Sequence, residues 1–438
     1  MKKKSAQFLS WRFLLLAPLL AATVPGQAQP MVVAPDKTNG VYQVGDTVHW
    51  TIDWEGGNNA PVAHYILKSG GLTTVGQGDL VFRNNIATVD SKFDKPNTML
   101  LEVDWTTNHV WGGAVAAPDK IFPAARPPAD FDAFWMAKLK ELKKISANPE
   151  LEKESSGKPG VDYWKITLDN INGTYIHGQL ARPTAGKKFP ALLILQYAGV
   201  YPLQKSWVTD RARDGWLALD IEAHDIPIDN PASYYTKIYA AGGALNNYWD
   251  IGNDDRNKSY YLRMYLSCVQ AMEYLKSRPD WNGQTLVVMG QSQGGQQTLM
   301  LAGLCPNDVT AALALVPAAS DMLAPEVGRA SGFPNWYFNT NGKDPAKVHE
   351  ASRYFDPANF AAQIKCPVLI ALGLHDEQLA PPSSILAVAN EITAPKEVII
   401  LPDSGHQNVH GSQEPFFHRA YYDWLPALKE GKPAPVKP

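Results

Sequence analysis

The strongest constraint on this chain is a rhythm in its C-terminal two thirds, where short apolar runs without internal alternation are separated by helical stretches. The runs are Ala191 to Leu195, Trp216 to Leu219, Leu286 to Met289, Ala311 to Val316, Pro367 to Leu372 and Val398 to Leu401. The best helices between them are Tyr261 to Leu275, Gly294 to Leu304 and Pro415 to Leu428. A strand that is apolar throughout is buried on both faces, and strands spaced by helices pair in parallel. The rhythm predicts an α/β fold with a mostly parallel sheet. Ahead of it, Trp164 to Leu168 and Tyr175 to Leu180 flank Asn172-Gly173, a hairpin signal. Earlier still, Phe131, Phe134, Leu139 and Leu142 recur at helical spacing behind Asp130, the expected N-cap.

Between Met31 and Ala117 the rhythm is different. Short alternating runs at Thr47 to Ile52, Val62 to Leu67, Leu80 to Phe82 and Met99 to Val103 are punctuated by Gly56-Gly57, Gly70-Gly71 and Asn84-Asn85. This predicts a small all-β, immunoglobulin-like sandwich. At 438 residues the chain is long for one core. The expected division is a signal peptide over 1–28, a β-sandwich over 31–117, a linker over 118–128 and the α/β catalytic domain over 129–438. The signal reading rests on Lys2 to Lys4, the apolar stretch Phe13 to Ala22, and the small-x-small site Gly26-Gln27-Ala28. It implies export to the periplasm or beyond, with no membrane attachment after cleavage.

Composition excludes several classes. Hydrophobic residues at 45% and charged residues at 19% describe a globular chain. A net charge of −3 offers nucleic acid no electrostatic partner. Three cysteines, Cys268, Cys305 and Cys366, are too few for a disulfide framework, though one bridge stays open. There is no close cluster of Cys and His to hold a metal. Two excursions interrupt the alternation: Ile226 to Asn257, rich in Tyr, Asn, Gly and Asp, and Ser320 to Phe360, with Trp336, Tyr337 and Phe338. Such long excursions serve as lids or binding loops, or as surface structure.

The motif that carries chemistry is Gly290-Gln291-Ser292-Gln293-Gly294, placed between the strand ending at Met289 and a helix. That turn is sharp enough to demand the glycines, and it lifts the Ser292 hydroxyl above the carboxyl edge of the sheet. Serine needs a base, and the fold's order is Ser, acid, His. Asp376 follows the run Pro367 to Leu372, with Glu377 as fallback; His406 follows Val398 to Leu401, with His410 as rival and His375 and His418 weaker. Backbone N–H groups of Gln293 and Val200 are the expected oxyanion donors, the second from the loop Gln196 to Tyr201. Tyr197, Gly199 and Tyr201 of that loop are the candidate substrate contacts.

These residues sit in a wider resemblance. Pro127 to Trp135, Tyr260 to Pro279, the elbow Gly290 to Gly295, and Gly373-Leu374-His375-Asp376 with Pro381-Pro382 and Gly405-His406 resemble the acetyl xylan esterase and cephalosporin C deacetylase family, carbohydrate esterase family 7. The resemblance spans about Ala129 to Leu428 and does not reach the β unit. It implies deacetylation of small acetylated sugars through an acetyl-enzyme on Ser292, with Asp376 and His406. Two stretches depart from it. The family's H-G-Y loop is Ala198-Gly199-Val200 here, and its D-x-R-G-Q-G stretch is Asp220 to Asp225, where His224 is expected to be structural or on the substrate side. The second departure leaves the hexameric assembly of some members in doubt, so a homo-oligomer stays open.

The expected function is therefore a serine carboxylesterase on acetylated carbohydrates such as xylo-oligosaccharides, needing no metal or organic cofactor. The alternatives are the same machinery on another acyl ester or a peptide, or a glycan-binding protein whose catalysis has lapsed. In the last, Trp50, Trp54, Trp105 and Trp111 would stack on sugars, against their plainer use in a core.

Overall fold

A computed structural model describes residues 30–377 and 379–437. The expected signal peptide lies outside them. Eight strands form the N-terminal unit: β1 (Met31–Pro35), β2 (Val41–Tyr42), β3 (Thr47–Trp54), β4 (Ala63–Ser69), β5 (Thr73–Asp79), β6 (Ile86–Lys92), β7 (Asn97–Trp105) and β8 (Asn108–Ala116). They make two sheets, β1-β3-β6 and β2-β8-β7-β4-β5. Every pairing is antiparallel except the short β2, parallel to β8. In β3 the alternation of Val48, Trp50 and Ile52 inward with Thr47, His49 and Thr51 outward is the half-buried pattern its sequence carries. Trp50 and Trp105 are buried in the core between the sheets, and Trp54 packs edge-on against Trp105. That location favours the structural use of these indoles over glycan stacking. Leu80 to Phe82, expected as a strand, is a connection instead. The polar edge strands β5 and β6 lie on either side of it, too weakly apolar to announce themselves.

The larger sheet has nine strands: β9 (Glu150–Glu154), β10 (Val161–Asp169), β11 (Tyr175–Pro183), β12 (Phe189–Leu195), β13 (Leu217–Ile221), β14 (Trp281–Gln291), β15 (Ala311–Leu315), β16 (Val368–Gly373) and β17 (Lys396–Leu401). Their order is β17-β16-β15-β14-β12-β13-β11-β10-β9. From β13 to β17 all pairs are parallel, and β9 to β11 extend the sheet antiparallel. The β10–β11 hairpin closes through Asn172 (φ 56°) and Gly173 (φ 68°), as the Asn-Gly pair requires. β13, β15 and β16 are buried at every residue, which is why their sequences do not alternate.

Helices cover both faces. Helices 131–142, 260–277, 293–304, 358–361 and 382–391 pack in series on one side. On the other, helix 206–213 meets the C-terminal segment through Arg211 over the Tyr421 ring. The expected single helix over Pro415 to Leu428 is three pieces, because residues 419–424 form a wider π turn. Asp130 occupies the N-cap of helix 131–142, as expected, but its side chain makes no capping hydrogen bond. Its carboxylate instead accepts from Arg256 and Tyr354, partners remote in sequence. All three cysteines are buried and free.

Candidate active site

Ser292 stands at the turn between β14 and helix 293–304, with φ 56° and ψ −120°. A serine holds this costly conformation only where its surroundings impose it. Leu315 accepts from its N–H at 2.9 Å, and its carbonyl accepts from Gln296 and Ala318 at 2.9 and 3.0 Å. The flanking glycines are obligatory by space. A Cβ on Gly290 would lie 2.7 Å from the Gly294 Cα, and one on Gly294 would lie 2.9 Å from the Leu195 carbonyl carbon.

The loops after β16 and β17 bring two more side chains to this turn. His406 Nε2 is 2.8 Å from Ser292 Oγ, and His406 Nδ1 is 2.6 Å from Asp376 Oδ2. A carboxylate can only accept, so Nδ1 carries the proton and Nε2 is left to accept from the serine hydroxyl. Asp376 Oδ1 accepts from the Leu379 and Ala380 N–H groups at 3.1 and 3.0 Å, which fixes the carboxylate plane. Asp376 is 3% exposed, so this chain of hydrogen bonds is shielded from water. Glu377 does not take the Asp376 position. It faces the N-terminal unit, where burial and the nearby Glu102 push its carboxyl up to about 7. His410 is exposed, and His375 is held neutral by burial, its value pushed down to about 4.

The loop Gln196 to Tyr201 lies beside the turn. Neither Gln293 N–H nor Val200 N–H donates to any other group among the described residues. Gly199, at φ 127°, makes the turn. Its own peptide groups face the scaffold: the N–H points at Tyr248 Oη (3.4 Å) and the carbonyl accepts from His224 Nε2 (2.9 Å). Tyr248 Oη in turn donates to Gln293 Oε1 at 2.6 Å, tying the two strand ends together. Tyr197 and Tyr201 stack at 4.6 Å, and the Tyr201 hydroxyl donates to the Tyr197 carbonyl. Tyr197 also borders a crevice of about 320 Å³ with Trp207, Gln291 and Phe417.

The departure segment after β13 proves to be the anchor of this loop. Gln196 donates to Glu222 and accepts from Ala223 N–H, while Asp220 accepts from Gln179. Burial pushes both carboxyls up, Asp220 to about 8 and Glu222 well above the usual carboxylate range. His224 accepts from Tyr260 Oη at 2.7 Å, and burial lowers its value to about 3. It is a structural group, fully buried behind the loop. Tyr248 carries no motif, and Tyr260 entered the sequence reading only as the first residue of the family-like stretch Tyr260 to Pro279. Composition flagged the excursion that holds Tyr248, but not the residue. The two excursions pack on each other, Trp249 against Phe333 at 4.8 Å and Trp336 Nε1 donating to Asp250 at 3.2 Å.

A mostly parallel sheet with a serine on a strained strand–helix turn, in hydrogen-bond contact with histidine and aspartate from later strand ends, defines an α/β-hydrolase. The acetyl xylan esterase (AXE1) family profile matches residues 120–427, and the chain belongs to that family of carboxylic ester hydrolases. The acetyl esterase Axe7A of Xylanibacter ruminicola is 32% identical over 401 residues, 89% of this chain and 90% of that one. Among solved structures, the acetyl xylan esterase of Paenibacillus sp. R4 aligns with a TM-score of 0.59 at 25% identity, over 72% of this chain and 98% of its own. Acetyl xylan esterase 1 of Thermoanaerobacterium sp. JW/SL YS485 aligns at 0.58 and 22% identity, over 69% of this chain and 96% of its own. The latter likeness speaks to fold.

Proposed function

We propose that this enzyme removes acetyl groups from acetylated carbohydrates such as xylo-oligosaccharides, with Ser292 as nucleophile, His406 as general base and Asp376 as its orienting partner. The observation that carries the reading is the continuous Ser292–His406–Asp376 hydrogen-bond chain. Ser292 Oγ attacks the acetyl carbonyl as His406 Nε2 takes its proton, and Asp376 stabilises the imidazolium. The tetrahedral oxyanion accepts from Gln293 and Val200 N–H, two donors with no competing partner among the described residues. His406 then gives that proton to the departing sugar oxygen, which leaves as the free hydroxyl. Water, deprotonated by the same imidazole, releases acetate from the acetyl-serine. Tyr197 and Tyr201 stack against the sugar, and Gly199 shapes the loop that carries them. Action on polysaccharide fragments suits the exported location expected from the N-terminal segment.

The test is acetate release from acetylated xylo-oligosaccharides, 4-nitrophenyl acetate and the butyrate analogue, by wild type and Ser292→Ala. Acetate release that vanishes in the variant, with poor butyrate cleavage, is the expected result. Undiminished activity in Ser292→Ala would overturn the nucleophile. Preference for butyrate would move the substrate to another acyl ester, and inactivity of both proteins would favour a binding role.

A further inference from the structure

Glycine in the interior of a strand weakens it and calls for a reason. β8 carries two in succession, Gly112 and Gly113, and they answer to different neighbours. A Cβ on Gly112 would meet Val33 Cγ1 at 2.5 Å and the Trp50 ring at 3.0 Å, both inside the N-terminal core. A Cβ on Gly113 would meet the other domain, lying 2.5 Å from Leu374 Cβ and 2.6 Å from the Leu374 carbonyl carbon. Gly40, at φ 65°, closes the same hole, its Cβ position 2.5 Å from Leu374 Cδ1. Leu374 is 1% exposed. It is therefore a knob in a glycine-lined socket of the N-terminal domain, two residues before Asp376.

The second docking point converges on the same loop. Gly70 O accepts from Ala330 N–H at 2.8 Å, and a Cβ on Gly70 would lie 2.9 Å from Gly328 O. The segment continues to Phe333, whose N–H donates to Leu379 O at 2.7 Å. Leu379 N–H is one of the two donors that fix Asp376 Oδ1. On its other side the loop is bound to the histidine loop, Leu374 N–H to Leu401 O and His375 N–H to Ser404 O.

We infer that the N-terminal β domain is a positioning element of the catalytic apparatus: its Gly40–Gly113 socket seats Leu374 and thereby sets where Asp376 meets His406. Packed cores shift as units, so crowding the socket moves the loop. A misplaced carboxylate then orients the imidazole poorly and stabilises the imidazolium less, without altering substrate contacts. The inference rests on Asp376 and His406 acting as proposed above.

The experiment compares Gly113→Ala, Leu374→Ala and Gly112→Ala in the full chain, by steady-state kinetics on 4-nitrophenyl acetate across pH and by thermal unfolding. Gly113→Ala is expected to lower kcat by up to about 10²-fold with KM unchanged, since small misplacements at a reacting centre cost that much. The acidic limb of its kcat/KM profile moves to lower pH, because the imidazolium has lost part of its partner. Leu374→Ala, which empties the socket without a clash, shifts both readouts the same way and decides the matter if Gly113→Ala does not fold. Gly112→Ala, confined to the N-terminal core, lowers the unfolding temperature but keeps the wild-type kcat and pH profile. If Gly113→Ala and Leu374→Ala lose only thermal stability, or if Gly112→Ala moves the pH profile equally, the inference is overturned. Wild type and Ser292→Ala run alongside: absence of serine-dependent activity strikes the functional reading itself, whereas its presence with unmoved socket variants strikes only the inference.

Discussion

Acidification from pH 6.5 to pH 5 is expected to remove about 2 kcal/mol of stability through His224 alone. The imidazole is fully buried, with Nε2–H donating to Gly199 O and Nδ1 accepting from Tyr260 Oη. Protonation would place a second donor against a hydroxyl and bury a positive charge, with Arg263 nearby adding repulsion. Its value is about 3 in the folded chain against an ordinary 6.5. The folded value is depressed, so stability is fully present above 6.5 and is lost as pH falls toward 3, because the unfolded chain takes up the proton first. Each unit of displaced titration is worth about 1.4 kcal/mol, and roughly 1.5 units separate 6.5 from 5. The assay is urea unfolding followed by tryptophan fluorescence at both pH values, for wild type and His224→Gln. Glutamine keeps a donor for Gly199 O and cannot titrate, and the remaining carboxylates cancel in the difference. Wild type should lose about 2 kcal/mol more than the variant over this interval. Equal losses would refute the claim that His224 is a neutral clamp.

Two further outcomes follow from the geometry. Tyr248→Phe removes the hydroxyl that joins Gly199 to Gln293. It should lower kcat about tenfold with little change in KM, less than the 10²–10³ of losing an oxyanion donor outright; steady-state kinetics on 4-nitrophenyl acetate measures it. Arg419 forms two hydrogen bonds to Glu397, at 2.7 and 2.6 Å, with side-chain exposures of 10% and 8%. Arg419→Ala leaves that buried carboxylate without its cation, costing about 3–5 kcal/mol and, for a chain of this length, roughly 5 °C in Tm by calorimetry, with kcat unchanged at 25 °C.

The buried parallel strands were legible from sequence because burial on both faces writes itself locally, as unbroken apolar runs at Leu217 to Leu219 and Val368 to Leu372. The strained turn at Ser292 was legible because only glycine fits at 290 and 294, and that requirement is written within five residues. Elements that earn their place by partners rather than by burial were not. The charged edge strand Glu150–Glu154 and the polar β5 hold ladder hydrogen bonds that any side chain permits. Asp130 does sit at the N-cap of its helix, but its carboxylate goes to Arg256 and Tyr354, which local sequence could not announce.

Residue types and chain order thus narrowed the site to one serine, two adjacent carboxylates and a few histidines. Only the tertiary structure put Asp376 rather than Glu377, and His406 rather than His410, within hydrogen-bond reach. Asp376 meets His406 while the adjacent Glu377 faces the N-terminal unit, and His410 stands exposed four residues beyond His406. The same holds for Tyr248, His224 and the Gly40–Gly113 socket. Each works through a contact between segments far apart along the chain, and no local pattern records such a meeting before the topology brings it about.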